Sequence, residues 1–142
     1  MSTWLKEKEE KILTIISALV EESAKGTPIV VEGKKDVEAL RALGVEGKLV
    51  TVKTGSKSFL DVVSELEQMK AAEVVLFLDF DRRGKEGTTR LKQNLERTKI
   101  KPNIQFWRDL LATVGNEMQC IESLPAYLLT LETKISTSPR QR

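Results

Sequence analysis

One stretch limits the folds open to this chain more than any other: Val74-Val75-Leu76-Phe77-Leu78-Asp79-Phe80-Asp81-Arg82-Arg83-Gly84. Its leading apolar run, β-branched or large throughout, predicts a strand buried on both faces. A strand of that kind belongs to a parallel sheet covered by helices. The run ends in two carboxylates at i and i+2, which extended chain points to the same side. Two arginines and a glycine follow at once, so one sheet edge receives acids and bases together.

The rest of the chain repeats the alternation such a sheet needs. The spacing of Leu5, Ile12, Ile16 and Leu19 predicts a helix over 3–25, ended by Gly26 and Pro28. This helix reads as a packing helix or a dimer face, because Trp4 and its isoleucines exceed what a solvated helix needs. Ile29-Val30-Val31-Glu32-Gly33 is a short strand ending in an acid. Asp36 then opens a helical pattern through Val37, Leu40 and Leu43. Leu49 to Lys53 is a second strand, followed by the turn Thr54-Gly55-Ser56-Lys57. Ser58 and Asp61 cap the next helix, with Leu60, Val63, Leu66 and Met69 as its expected buried stripe. After the central strand comes a helix from about Gly84 to Arg97 with Thr88, Leu91 and Leu95 inward. Asn103 to Trp107 reads as a fourth strand, Asp109 as the cap of a short helix, and Ser123 as the cap of a last helix carrying Tyr127, Leu128 and Leu131. Lys134 to Arg142 reads as a frayed tail. Strands alternating with helices imply βαβ units and a mainly parallel α/β sheet. The expected layout is an amphipathic helix at 1–27 packed on a domain at 28–132, with a flexible tail at 133–142.

Composition narrows the chemistry. The chain has 142 residues, 31% of them charged, and no histidine. Without histidine, a metal here would be held by oxygen, which suits Mg²⁺ or Mn²⁺. The lone Cys120 rules out an internal disulfide and any cysteine-rich zinc site, and fits a reducing compartment. No segment approaches membrane-spanning length, and the acids among residues 6–11 are unlike a signal peptide, so a cytoplasmic protein is expected. The net charge of +2 is unevenly spread: Arg82 to Lys101 holds eight basic residues against Glu86 and Glu96. That stripe fits a polyanion such as nucleic acid, although a charge run is also what a solvated helix face looks like.

In a parallel sheet all strands end on one edge, and ligands bind there where the strand order reverses. Glu32 ends the first strand; Asp79 and Asp81 end the third. With strand order 2-1-3-4 the three carboxylates converge, and like charges so placed call for a cation. Each feature has a plain structural reading as well. Asp favours loop starts, and Lys34 and Lys35 also fit an ordinary helix start, though cations are disfavoured near a helix N-terminus. Gly33 and Gly84 are expected at tight strand-to-helix turns or close backbone approaches.

The order strand, Glu32-Gly33, Asp36, then a strand ending Asp79-Phe80-Asp81-Arg82-Arg83-Gly84 resembles the Toprim family, shared by primases, topoisomerases, certain nucleases and a ribosomal RNA maturase. The Thr54-Gly55 turn is similar too. The segment around Val114-Gly115 and Ile121-Glu122-Ser123-Leu124-Pro125 is, more loosely, similar to small stand-alone archaeal members. The resemblance implies a Rossmann-like Toprim fold of about four strands with helices on both faces. It implies Glu32 as general acid or base, Asp79 and Asp81 with Glu32 as the Mg²⁺ (or Mn²⁺) site, and Asp36 in a supporting role. Lys34, Lys35, Lys57, Arg82, Arg83 and Lys85 would meet phosphates, with Gly33 and Gly84 structural.

The implied function is Mg²⁺-dependent phosphodiester chemistry on RNA or DNA, as nuclease or nucleotidyl transferase. The alternative is a non-catalytic module that binds nucleic acid or an RNA-processing assembly, alone or as a homodimer. A phosphatase that starts from strand-Asp-x-Asp is a poorer match, since Arg82-Arg83-Gly84 replaces its usual Thr or Val and Glu32-Gly33 comes first. No phosphate-binding Gly-x-x-x-x-Gly-Lys-Ser/Thr loop occurs.

Overall fold

The computed structural model describes residues 2–53 and 57–137. The Thr54-Gly55 turn lies outside the described residues. Four short strands, β1 (Ile29–Val31), β2 (Leu49–Thr51), β3 (Glu73–Leu76) and β4 (Lys101–Asn103), form one sheet in the order β2-β1-β3-β4. Every pairing is parallel, with Ile29 opposite both Leu49 and Val75. The helices are α1 (Ser2–Ala24), α2 (Lys34–Ala42), α3 (Phe59–Gln68), α4 (Arg82–Glu96), α5 (Gln105–Val114) and α6 (Leu124–Thr137). The α/β class and the strand order are those the sequence predicts.

The two central strands are buried on both sides because their alternate residues serve different cores. Ile29, Val31, Val75 and Phe77 face a cluster with α1, α2, α5 and α6. Val30, Val74, Leu76 and Leu78 face α3 and α4. Continuous runs of valine, isoleucine and leucine follow from that division, since neither face meets water. The edge strand β4 is short and partly exposed, and its Pro102 is a residue tolerated only where a ladder hydrogen bond is not needed.

Four local expectations need correction. The fourth strand ends at Asn103, and Phe106 and Trp107 belong to α5. Asn103 turns the chain: its side-chain oxygen accepts from the Gln105 amide at 2.9 Å, while its amide group donates to Glu73 at 2.8 Å. Trp107, Leu110 and Val114 then bury one face at helical spacing. Asp109 therefore lies inside α5 and accepts from Gln105 instead of capping. In α3 the caps form as expected between Ser58 and Asp61. Its buried face, however, is Val62, Val63 and Leu66 behind Phe59, and Leu60 stands 69% exposed. Ser123 stands where the cap of α6 was expected, ending a 3-10 turn at Ile121–Ser123. Helix α6 runs through Lys134 to Thr137, within the stretch where composition suggested fraying, and the remainder of that stretch, 138–142, lies outside the described residues.

Helix α1 presents Ile12, Ile16 and Leu19 to the core and stops at Gly26, whose φ of +103° suits glycine. It lies against α5 and α6. Trp4 and Leu13 remain exposed on its outer side.

Candidate metal and phosphate site

The strand pairing decides where the acids go. Val30 pairs with Leu76, so two residues further on the chain sets Glu32 beside Leu78 and Asp79. Both strands then leave the sheet at the same rim. Glu32 and Asp79 are buried, at 8% and 9% exposure, and Asp36 is more so at 4%. The Asp79 amide faces the Glu32 carboxylate, and the Ile121 amide donates to Asp79 Oδ1 at 3.0 Å. Asp36 reaches back to accept from the Gly33 amide at 3.0 Å through Oδ2. Its other oxygen, Oδ1, is buried and makes no hydrogen bond of full geometry, although the Glu122 amide faces the carboxylate. Asp81 is half-buried and is the N-cap of α4, accepting from the Gly84 amide at 2.8 Å.

Gly84 is needed there. A Cβ at that position would lie 2.1 Å from the Asp79 carbonyl oxygen, so only glycine lets α4 start this close to the end of β3. Gly33 lies in the expected strand-to-helix turn between β1 and α2, but nothing there requires glycine. It precedes α2 in an extended conformation open to any residue, and a Cβ there would make only an ordinary contact with Lys53.

The electrostatics are those of acids held together against their preference. Burial, and then the Asp79 charge, push the Glu32 carboxyl above its ordinary value, while Lys53 at 3.5 Å partly offsets them. Burial also raises Asp79, with the Asp36 and Asp81 charges adding to it and the Ile121 amide opposing. Asp36 is raised by burial, with Glu122 and Glu32 contributing. Burial and the same acids lift the nearby Cys120 thiol. Desolvation and like charge both favour the neutral acid, and a cation reverses both effects. Among the described residues, no three acids stand within joint reach of one metal ion.

The expected phosphate contacts divide. Lys34 and Lys35 are exposed in the first turn of α2, and Arg83 and Lys85 in that of α4. Arg82 is exposed too but pairs with Glu86 at 3.2 Å. Lys57 turns away to the Thr51 carbonyl at 2.8 Å and to Glu65 at 2.9 Å. Sequence reasoning missed three participants: Lys53 on Glu32, Glu122 near Asp36, and the 119–121 segment, whose Gln119 carbonyl also accepts from the Phe80 amide at 2.7 Å. Only the resemblance of Ile121-Glu122-Ser123 to small archaeal proteins hinted at that segment.

Residues 26–104 match the family model of the Toprim domain. The chain belongs to the Toprim family. Membership ties it to Mg²⁺-dependent, nucleic-acid-related domains in general. Among its relatives, the UPF0292 protein of Methanocaldococcus jannaschii is 34% identical, over 84% of this chain and 91% of its own. The UPF0292 protein of Methanosarcina acetivorans is 32% identical over 91% of this chain and 88% of its own. A solved structure of a protein from Aquifex aeolicus superposes with a TM-score of 0.62 at 25% identity, covering 87% of this chain and 96% of that one. The matched Toprim span contains Glu32, Asp36, Asp79 and Asp81 and stops short of the 119–122 segment that holds Asp79. Among the described residues no helix is long and apolar enough to cross a membrane.

Proposed function

We propose that this Toprim protein carries out Mg²⁺-dependent phosphodiester chemistry on nucleic acid, with Glu32, Asp79 and Asp81 as the acting carboxylates. One observation carries the reading. Glu32 and Asp79, buried at two neighbouring strand ends, meet at one rim, each made less acidic by burial first, with the Asp79 charge adding to Glu32 and the Asp36 and Asp81 charges to Asp79. A structural role alone gives no reason to keep them so.

The residues suit the metal. All donors are oxygen, and the rim is open at half-buried Asp81. Glu32, Asp79 and Asp81 do not stand within joint reach of one ion as placed. Asp79 and Asp81 would therefore hold Mg²⁺ or Mn²⁺, which would supply charge neutralisation for phosphate oxygens, with Glu32 beside them left to move a proton. The chain's own groups do the rest. The Ile121 amide fixes the Asp79 side chain, and the Gly84 amide fixes Asp81. Glu32, raised toward neutrality and beside Lys53, is suited to accept a proton and return it. Arg83, Lys85, Lys34 and Lys35 surround the rim with positive charge for the strand's phosphates.

A second reading, a non-catalytic module that holds nucleic acid or an RNA-processing assembly, draws on a different observation. Lys53 and the Ile121 amide already partner Glu32 and Asp79 from within the chain. The two readings part in one assay. Labelled RNA and DNA are incubated with Mg²⁺ and the wild type, Glu32→Gln or Asp79→Asn. Metal-dependent cleavage or transfer lost in both variants supports catalysis. Salt-sensitive binding with no product, equal in all three proteins, supports the module.

A further inference from the structure

The acid cluster does not account for the cleft next to it. This cleft, about 490 Å³, opens between the first turn of α3 and the face of α4, with Glu32 among the residues that line it. Its floor is apolar. Phe59 sits against α4 at Gly87, where an added Cβ would come within 3.3 Å of the ring and 3.2 Å of Leu78. Gly87 thus makes room for the ring. Arg90, three residues along α4, lies over the same ring at 5.4 Å from its centre. Beside them Leu60 is exposed, although the helix has an apolar face elsewhere. The walls carry Lys53, Arg83 and Arg90. Of the acids at the cleft, Glu32 faces Lys53 and Glu86 is paired with Arg82.

A ring with a guanidinium on it, an uncovered leucine, and cations leading to a phosphate-competent rim together match one class of ligand. A nucleobase stacks on such surfaces while its backbone follows the cations. The cleft's volume lies in the range of small-ligand pockets. A base inside a duplex is already stacked and paired, and it cannot enter.

We propose that the Phe59–Arg90–Leu60 cleft receives one unpaired nucleotide of a single strand, next to the phosphate presented to Glu32, Asp79 and Asp81. This assignment rests on the reading of the rim as a phosphodiester site and adds the strandedness of its substrate. Arg90 and Leu60 hold the base, and Arg83 and Lys53 steer its backbone.

The test is fluorescence anisotropy in EDTA, so that no cleavage intrudes. The probes are a short labelled RNA strand, the matching DNA strand, an abasic version of each, and the duplex. For the wild type, base-bearing strands bind about tenfold tighter than abasic strands and than the duplex. The RNA and DNA arms show which sugar is preferred. Leu60→Glu, at an exposed position, and Phe59→Leu, which keeps apolar volume beside Gly87, each erase that preference. Equal binding of base-bearing and abasic strands by the wild type overturns the assignment. So does a preference that survives both variants. Cleavage with Mg²⁺ is scored separately: base-selective binding without any product contradicts catalysis at the rim while supporting the cleft.

Discussion

Two groups of acids in this molecule have opposite fates. At the seam between α1 and α6, Glu117 accepts from Lys8 at 2.6 Å and from the Tyr127 hydroxyl at 2.5 Å. Those hydrogen bonds hold its carboxyl below the ordinary value. Burial works against the Lys8 charge, yet the same bonds keep Lys8 above its usual range. At the sheet rim, Glu32, Asp36 and Asp79 are all pushed the other way, by burial first and then by neighbouring acids, Glu122 and Asp81 among them. The seam is an acid answered by its neighbours and serves to fasten helices. The rim is a set of acids only partly answered, which the proposed cation would complete. Tyr127 belongs to the seam, half-buried on the core, and has no part in the rim.

The contrast can be broken most directly by neutralising each group. Glu32→Gln and Asp79→Asn are expected to lower metal-dependent turnover by at least ~100-fold, the usual scale for a lost acid-base group. Their melting temperatures should stay level or rise, because each removes like charge from a buried cluster. Melting temperatures that fall instead would put the rim in the same class as the seam, as acids that fasten the fold.

Gly84→Ala sharpens the geometry behind the rim. Its Cβ would be forced to 2.1 Å from the Asp79 carbonyl, so unfolding by denaturant should show a loss of about 1–3 kcal/mol. Gly33→Ala, with ordinary contacts and extended backbone, should cost under ~1 kcal/mol. Equal losses would mean that the approach of α4 to β3 is not what requires glycine.

The smallest effect is at the seam. Because Glu117 is lowered, its contribution is present above the ordinary carboxylate pKa and fades as pH falls through the lower folded value. With its side chain 53% exposed, that contribution is under ~1 kcal/mol. Thermal melts of Glu117→Gln should therefore run slightly below wild type at neutral pH and converge with it in acid. A gap that widens in acid would reverse the sign assigned to this pair.

The rim was legible in sequence because its parts are local. Two runs of β-branched residues, each ended by an acid, identify buried parallel strands and the side they deliver their ends to. Alternation with helices gave the parallel sheet, and the order 2-1-3-4 came with the Toprim resemblance. What escaped depends on distant or concealed contacts. Ile121 meets Asp79 across 42 residues, from a segment with no periodicity of its own. The edge strand at Lys101–Asn103 hides behind a lysine and a proline, so the apolar Phe106 and Trp107 drew the strand toward a helix. Leu60 fits a helical stripe as well as Val62 does until the start of α3 at Phe59 sets the phase. Lys57 looked like a phosphate ligand, and only the fold shows Glu65 within its reach.

The central claim is that the rim acids together make a cation site. Titration of the protein with Mg²⁺, followed through backbone amide shifts, tests it without needing a substrate. The account predicts saturable shifts confined to the amides around Gly33, Asp79 to Gly84 and Ile121 to Glu122, all lost in Asp79→Asn. Shifts that are absent at the rim, or that persist unchanged in that variant, would contradict it.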